Sequence, residues 1–181
     1  MKNWQDLAEA VGQWSAANFG SQKGLGCLVP LMGMAEEVGE WYEANDHKDQ
    51  DDALGDICIF LMDYCYRAGV DLSGVPKEGN NLKDRLSLVE AVGKLFHVQV
   101  KRIQGIRGME DKERFEAARL DAVISVISKI NLFINAFDNA CKVWSDVVSK
   151  RKWHTVPDKP MTMQDAVNGF TGIAGELNRL S

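Results

Sequence analysis

The 181-residue sequence predicts an all-α fold, and three observations support this class. Long stretches carry apolar residues at the three- and four-residue spacing of amphipathic helices, without the alternation typical of half-buried strands. All four prolines fall between these stretches, where proline can begin a helix but does not interrupt one. Glycine-rich or charged connections separate the stretches, namely GSQKGLG, EGNN and GIRGMED.

Seven helices follow in order from this spacing. Their predicted ranges are about 2–19, 30–45, 51–69, 81–104, 111–136, 138–151 and 162–179. Pro30 begins the second helix, EGNN precedes the fourth, and GIRGMED separates the fourth from the fifth. Thr162 is the expected N-cap of the seventh, whose apolar stripe is weak. The third helix is apolar almost all round, which is typical of a buried helix.

An internal repeat divides the chain near Pro76. EEVGEW at 36–41 resembles EAVGKL at 90–95, and DALGDICIF at 52–60 resembles DAVISVISK at 121–129, in the same order. The second copy has lost acids, with Ala91, Lys94 and Ser125 at the positions of Glu37, Glu40 and Asp56. Chance similarity between two amphipathic helix pairs is the alternative interpretation.

Three regions follow from the repeat. We expect residues 1–75 to form the first copy with its acidic motif intact. Residues 76–158 would then form a degenerate second copy, packed with the first as one helical bundle. Residues 159–181 would form a C-terminal helical tail, which docks on the bundle or on a second chain.

Charge is unevenly distributed along the chain, although the net charge is only −5. Residues 1–75 contain 4 Lys and Arg against 13 Asp and Glu, a balance of −9, and the remaining residues contain 17 against 13, a balance of +4. An acidic half suits cations and a basic half suits phosphates. The net negative charge disfavours nucleic acid as the main partner, and solvated charged faces are the simpler alternative.

The composition predicts a cytoplasmic protein that does not use a membrane. No apolar run reaches the roughly 20 residues of a membrane span, and MKNWQDLAEA lacks the features of a signal peptide. The four cysteines show no CxxC spacing, and Cys58 and Cys65 lie seven apart in an apolar helix, as core thiols do. We therefore expect reduced cysteines.

Two neighbouring predicted helices carry acids that an ordinary solvated face does not explain. Asp52, Asp56 and Asp63 fall within about 40° of one another on the apolar third helix, at 100° per residue. The second helix carries acids opposite and beside its apolar stripe, at Glu36, Glu37 and Glu40. Because buried carboxylates need compensation, we expect the two sets to face each other and share hard cations such as Mg²⁺.

These motifs resemble the MazG-like all-α nucleoside triphosphate pyrophosphohydrolases, whose pattern is ExxE followed by ExxD. The glutamate pair of EEVGE, Glu37 and Glu40, is followed by a helix that carries LGD and a long apolar run. WSAANFG, QGIRG and VWSDVVSKRKW are similar to further elements of phage and bacterial members, so the resemblance covers most of residues 4–155. It implies a four-helix bundle whose acids hold Mg²⁺, with Mn²⁺ as a substitute, and hydrolysis of a nucleoside triphosphate.

The second motif departs from the family pattern. Ala53 stands three residues before Asp56, and the acid is Asp52, four residues before it. Positions four apart still share a helix face, so Asp52 can substitute. The resemblance implies metal ligands at Glu37, Glu40, Asp52 and Asp56, and catalytic roles for Glu36, Glu37 and Glu40. Because the family usually pairs subunits, it also implies a homodimer, or a pseudo-dimer within one chain with one metal site.

The candidates for substrate binding are aromatic, amide and basic side chains. Trp14 and Asn18 lie four apart on the first predicted helix and suit a nucleobase, although Trp14 in the core is an equal alternative. The candidates for phosphate binding are Lys101 and Arg107 around QGIRG and Arg151 in VWSDVVSKRKW. Lys and Arg clusters are more often solvated helix ends, which is the alternative for these residues.

Two other classes of protein fit the sequence. A helical scaffold would explain the degenerate second copy but not the acids on an apolar helix. A protein that binds metal and nucleotide without hydrolysis fits nearly as well as the enzyme. GxxxxGK[ST] does not occur in the sequence, which disfavours a P-loop mechanism.

Overall fold

The computed structural model describes residues 1–20, 25–77 and 87–151, and every regular element in these ranges is helical. Six α-helices follow in chain order: α1 (Trp4–Phe19), α2 (Leu28–Glu43), α3 (His47–Ala68), α4 (Leu88–Gln104), α5 (Lys112–Ile130) and α6 (Ala136–Asp146). Short 3₁₀ turns, Leu25–Cys27 and Val148–Lys150, precede α2 and follow α6. The predicted all-α class is therefore confirmed for the described residues. No helix in these ranges is long and apolar enough to cross a membrane.

Side-chain caps explain where several helices begin. Asp46 accepts the backbone N–H of Asp49 at 2.9 Å, so α3 begins at His47, earlier than predicted. Ser87 and Glu90 form a capping box at the start of α4, with Ser87 Oγ accepting the Glu90 N–H and Glu90 accepting the Ser87 N–H. The predicted residues 81–86 of this helix lie outside the described ranges, as does the seventh predicted helix, 162–179.

The predicted end of the fifth helix at residue 136 is wrong. Helix α5 ends at Ile130, and the chain turns before α6 begins at Ala136. Asn131 Oδ1 accepts the Ala136 N–H at 2.9 Å, and Asn135 caps α6 by accepting the Asp138 N–H at 3.0 Å. Asparagine side chains that bond nearby backbone compete with the helix ladder, which explains the break.

Helix α3 is the central element and packs against α1, α2, α5 and α6. Helices α2 and α3 form one helical hairpin, and α4 and α5 form another. Helix α6 runs beside α3 in the same direction, because Asn139 Nδ2 donates to Asp51 O at 2.6 Å and Val143 packs against Gly55. The core lies among these helices and includes large buried residues of α1, α2 and α3.

The segment around Pro76, predicted as a boundary, packs against α1 rather than forming an open linker. Trp4 Nε1 donates to Pro76 O at 3.1 Å, and the Leu72 N–H donates to Gln5 Oε1 at 2.9 Å. Leu72 and Val75 are buried. The chain that follows α3 is thus part of the same packed body as α1.

A buried ion pair within α3 is linked to α1 by the hydroxyl of Ser15. Arg67 Nε donates to Asp63 Oδ1 at 2.8 Å, and Ser15 Oγ donates to Asp63 Oδ2 at 2.9 Å. Arg67 also donates through its second terminal nitrogen to Ser15 Oγ at 2.6 Å. Asp63 and Ser15 are both buried. This aspartate of the apolar helix is therefore compensated by protein partners.

Candidate acidic site

The α2–α3 hairpin brings the predicted acids of both helices near one another. Asp56 on α3 is the strongest electrostatic neighbour of Glu37 on α2, and Glu40, Glu36 and Asp52 follow in that order. Glu37 and Asp56 are half-buried, whereas Glu36, Glu40 and Asp52 are exposed. We call these five residues, Glu36, Glu37, Glu40, Asp52 and Asp56, the acidic site. Asp63 lies outside it in the ion pair with Arg67.

The surroundings of Glu37 strongly disfavour its ionised form. Burial, as the largest cause, and the nearby carboxylates of the acidic site together raise the pKa of Glu37 from 4.5 to about 8. Asp56 and Asp52 act on Glu37 from α3, whereas Glu40 and Glu36 act from its own helix. The ionised carboxylates of the acidic site repel one another, and a bound cation would reduce this repulsion.

The pKa of Asp56 is also raised, but by less than that of Glu37. Burial raises the pKa of Asp56 from 3.8 to about 6, with contributions from Asp52 and Glu40 in the same direction. The positive charge of Arg151 acts in the opposite direction and lowers the pKa of Asp56. Arg151 is thus the basic residue that the fold brings to the acidic site.

The acidic site fits Mg²⁺ in its donor chemistry, since all five side chains are carboxylates and Mg²⁺ prefers oxygen ligands. Across residues 1–20, 25–77 and 87–151, however, no three acidic, histidine or cysteine side chains are placed to hold one metal ion together. The carboxylates couple through space without converging on a point.

Trp14 lies beside Arg151. Its Nε1 donates to the Arg151 backbone oxygen at 3.2 Å, and its ring makes edge-to-face contacts with Phe19 at 5.7 Å and Trp144 at 6.2 Å between centroids. Trp14 is partly buried, so it belongs neither wholly to the core nor wholly to the surface. Asn18 Nδ2 donates to the Trp14 backbone oxygen at 2.8 Å.

The other two basic candidates are not among the charges that act on the acidic site. Lys101 Nζ donates to Gln104 Oε1 at 2.7 Å near the end of α4. Arg107 is exposed in the following turn, with a positive φ of 60°. Neither residue contributes to the pKa shifts of Glu37 or Asp56, whereas Arg151 does. The structure therefore brings Arg151 to the acidic site and does not bring Lys101 or Arg107 there.

A groove of about 590 Å³ lies between α3 and α6 and includes Asp52 of the acidic site. Its walls carry two lysines, Lys48 and Lys142, that the sequence analysis did not select. Lys48 lies four residues before Asp52 on α3, so helical spacing could have placed it on the same face. Lys142 carries no such signal, because its position depends on how α6 packs on α3.

The α4–α5 hairpin carries a different set of residues at the positions that the predicted repeat aligns with the acidic site. Lys94 Nζ donates to Asp121 Oδ2 at 2.6 Å, and these two residues align with Glu40 and Asp52. Ala91 and Ser125, the counterparts of Glu37 and Asp56, are both buried. The described residues of the second hairpin therefore pair a cation with an acid where the first hairpin has acids alone.

Comparison with known proteins gives no match to a protein-family model, a curated protein or a solved structure. The resemblance to MazG-like enzymes therefore rests on the motifs in the sequence.

Proposed function

We propose that this chain is a Mg²⁺-dependent nucleoside triphosphate pyrophosphohydrolase, which converts a (d)NTP to a (d)NMP and pyrophosphate. The observation that carries the proposal is the acidic site, where burial and four neighbouring carboxylates raise the pKa of Glu37 to about 8. A cation bound among these carboxylates would offset their repulsion in place of a proton. Removal of unwanted nucleotides is the physiological role that the resemblance suggests.

The reaction requires water to attack the α-phosphorus while the bond between that phosphorus and the bridging oxygen breaks. Mg²⁺, when bound, supplies neutralisation of the phosphate oxygens and a lower pKa for a coordinated water. The proposed ligands are Glu37, Glu40, Asp52 and Asp56. Glu36, on the exposed side of α2, is the proposed acceptor of the proton that water loses.

Arg151 and Trp14 are the proposed substrate-binding residues. Arg151 carries a positive charge that acts on Asp56, so a phosphate held there would lie beside the acidic site. Trp14 bonds the backbone of Arg151 and offers an aromatic surface with Phe19 and Trp144 for the base. Lys101 and Arg107 are not part of this proposal, because neither acts on the acidic site.

We also propose that the two hairpins are copies of one unit and form a pseudo-dimer with one cation site. Buried positions agree in register when α4 is aligned with α2 and α5 with α3. The matching buried pairs are Met34 and Leu88, Val38 and Val92, Leu54 and Val123, Ile57 and Val126, and Leu61 and Ile130. The second copy carries the Lys94–Asp121 ion pair and is proposed to be catalytically dispensable.

A non-catalytic protein that binds metal and nucleotide is the second candidate. The clustered carboxylates and the positive charge of Arg151 would serve binding of metal and nucleotide as well as hydrolysis. The two candidates share the acidic site and differ only in turnover.

Turnover separates these candidates. The purified protein is incubated with each common (d)NTP and Mg²⁺, and the release of pyrophosphate is measured. We expect turnover of at least one substrate, and a loss of more than about 100-fold in Glu40→Gln, since removing a ligand charge weakens the cation site. Glu43→Gln is the matched control, because Glu43 is an exposed acid of α2 that does not act on Glu37.

If none of the substrates releases pyrophosphate with either Mg²⁺ or Mn²⁺, the enzymatic proposal is wrong. Nucleotide-dependent binding of Mg²⁺ without turnover would favour the second candidate. Equal turnover in Glu40→Gln and Glu43→Gln would remove Glu40 from the site.

A further inference from the structure

A second set of aromatic rings lies one helical turn from the acidic site. Trp41 follows Glu37 by four residues on α2, so the two side chains share a face of this helix. The Trp41 ring contacts the ring of Phe133 in the turn between α5 and α6, with 5.1 Å between centroids. Phe133 is 57% exposed, whereas Trp41 is partly buried. We call Trp41 and Phe133 the aromatic pair.

The aromatic pair adjoins the groove between α3 and α6. Ile134, the residue after Phe133, lines this groove together with Asp52 of the acidic site. The volume of the groove, about 590 Å³, lies within the range of small-molecule and cofactor sites. A ligand in the groove would therefore lie beside both Asp52 and the turn that carries Phe133.

The charges in the groove suit a phosphate chain that carries a cation. Lys48 and Lys142 line the groove, and neither lysine forms an ion pair with another described residue. Asp51, Asp138 and Asp146 line it as well. Lysine ammonium groups bind phosphate oxygens, and Mg²⁺ binds carboxylates and phosphates together. The mixed lining thus offers cations to the phosphates and acids to the metal ion that accompanies them.

The aromatic pair and Trp14 reach the acidic site through different residues. Trp14 bonds the backbone of Arg151, whose positive charge acts on Asp56. Trp41 lies one turn from Glu37 instead. Nucleobases stack on aromatic rings, and a nucleoside triphosphate has only one base. A substrate with a base at each end of its phosphate chain could use both surfaces.

We propose that the groove and the aromatic pair bind the second nucleoside of a dinucleoside polyphosphate. One base then stacks at Trp14, the phosphate chain crosses the acidic site, and the other base stacks on the exposed ring of Phe133. This inference rests on the proposed function, because it uses the same acidic site, and it names the class of substrate.

The reaction is that of the proposed function with a larger leaving group. Water attacks the phosphorus bonded to one ribose, and the bond from this phosphorus to the bridging oxygen breaks. The bridging oxygen keeps the electron pair, and Glu36 accepts the proton that water loses. A dinucleoside tetraphosphate therefore yields one nucleoside monophosphate and one nucleoside triphosphate.

Turnover of matched substrates tests this inference. The purified full chain is incubated with Mg²⁺ and a dinucleoside tetraphosphate that carries adenosine, guanosine, cytidine or uridine at both ends, and separately with the matching NTP. Chromatography measures the nucleoside monophosphate that is released. For at least one base, we expect kcat/KM to be at least about 10-fold higher for the dinucleotide, since its second base stacks on an aromatic ring.

The position of the second base is tested with Phe133→Ala. We expect this change to lower kcat/KM for the dinucleotide about 10-fold more than kcat/KM for the NTP, mainly through a higher KM. Leu132→Ala is the matched control, because Leu132 is 68% exposed in the same turn but has no aromatic ring. It should not change the ratio of the two kcat/KM values. Circular dichroism verifies that each variant remains folded.

The outcomes separate this inference from the proposed function. If an NTP is hydrolysed with a kcat/KM at least equal to that of every dinucleotide, or if Phe133→Ala affects both substrates equally, the second base site is wrong and the proposed function stands. If no substrate is hydrolysed, the proposed function is wrong and binding decides the second site. Calorimetry then compares dinucleotide and NTP analogues in which methylene groups replace the scissile bridging oxygens. Tighter binding of the dinucleotide that Phe133→Ala abolishes would support the site, and equal affinities would overturn it.

Discussion

Glu37 and Asp56 are the acids whose ionisation is most affected by the fold. Burial is the largest cause for both, and neighbouring carboxylates add to it. Each binds a proton more tightly in the folded chain than in the unfolded chain. The stability that these protons provide is fully present below the unfolded pKa values of 4.5 and 3.8. It is lost as pH rises through about 6 for Asp56 and about 8 for Glu37.

The metal-free protein should therefore lose stability between pH 5 and 8, and Glu37→Gln should lose less, because glutamine remains neutral throughout. Urea unfolding in EDTA at several pH values measures this slope for the wild type and the variant. Glu43→Gln should follow the wild type, since Glu43 does not act on Glu37. If the free energy of unfolding changes with pH equally in the wild type and Glu37→Gln, the raised pKa of Glu37 is contradicted.

Asp63 shows how an aspartate is accommodated on the same apolar helix without a cation. Burial raises the pKa of Asp63, while the charge and hydrogen bond of Arg67 and the hydroxyl of Ser15 lower it. Burial outweighs its partners even though the ion pair is short, at 2.8 Å. The network therefore compensates a charge that the interior disfavours.

Removal of Arg67 should leave the Asp63 carboxylate buried with the Ser15 hydroxyl but without a compensating charge. We expect Arg67→Leu to lower the free energy of unfolding by about 3 kcal/mol, or roughly 10 °C in Tm. Thermal and urea unfolding measure the loss. The double variant Asp63→Leu, Arg67→Leu should recover much of it, because no charge then remains inside. No recovery in the double variant would show that packing by Arg67, rather than its charge, stabilises this position.

At the scale of elements, the contact between α3 and α6 depends on a glycine. A Cβ at Gly55 would lie 2.5 Å from Val143 Cγ2 and 3.0 Å from Asn139 Nδ2. The close approach lets Asn139 donate to Asp51 O and positions the chain that continues to Arg151. Packing of α6 thereby connects the core to the acidic site.

Gly55→Ala should displace α6 and lower the free energy of unfolding by about 1–3 kcal/mol, despite the better helix propensity of alanine. Val143→Ala in the same chain should relieve the contact, so the two changes should cost less together than their sum. Gly39→Ala is the control, because a Cβ there meets no atom within 4 Å and should stabilise α2 by up to about 1 kcal/mol. Additive losses for Gly55 and Val143 would contradict the proposed contact.

At the scale of the whole molecule, the two hairpins differ in how they treat their charges. The α4–α5 hairpin contains the Lys94–Asp121 ion pair, and the proposed repeat aligns these residues with Glu40 and Asp52 of the α2–α3 hairpin. If the proposed function is correct, bound cations stabilise the α2–α3 hairpin. The α4–α5 hairpin does not need a bound cation, because Lys94 supplies the positive charge.

Glu40→Lys should therefore mimic the second hairpin. We expect a higher Tm in EDTA than for Glu40→Gln, because the new ammonium group lies near Asp52. We also expect loss of the Tm increase that millimolar Mg²⁺ gives the wild type, which follows RT ln(1 + [Mg²⁺]/Kd). Asp121→Asn should leave the Mg²⁺ effect unchanged. A Mg²⁺ response in Glu40→Lys equal to that of the wild type would contradict a cation site at Glu40.

Local spacing was enough to predict the helices and their acids. The all-α class and the hairpin with acids on both helices depend on residues close in sequence. Helix ends were less predictable, because caps at Asp46 and Asn135 compete with the apolar pattern. The predicted end of α5, residue 136, was wrong for this reason.

Only the tertiary structure decided which charges and rings meet. Sequence spacing put Asp63 on the same stripe as Asp56, but packing of α1 gave Asp63 its Ser15 partner, 48 positions away. Trp14 and Arg151 are 137 positions apart, and the fold joins them beside Asp56. Periodicity fixes the direction of a side chain relative to its own helix. The partner in that direction depends on how the helices pack, which is set by long-range contacts such as Gly55 with Val143.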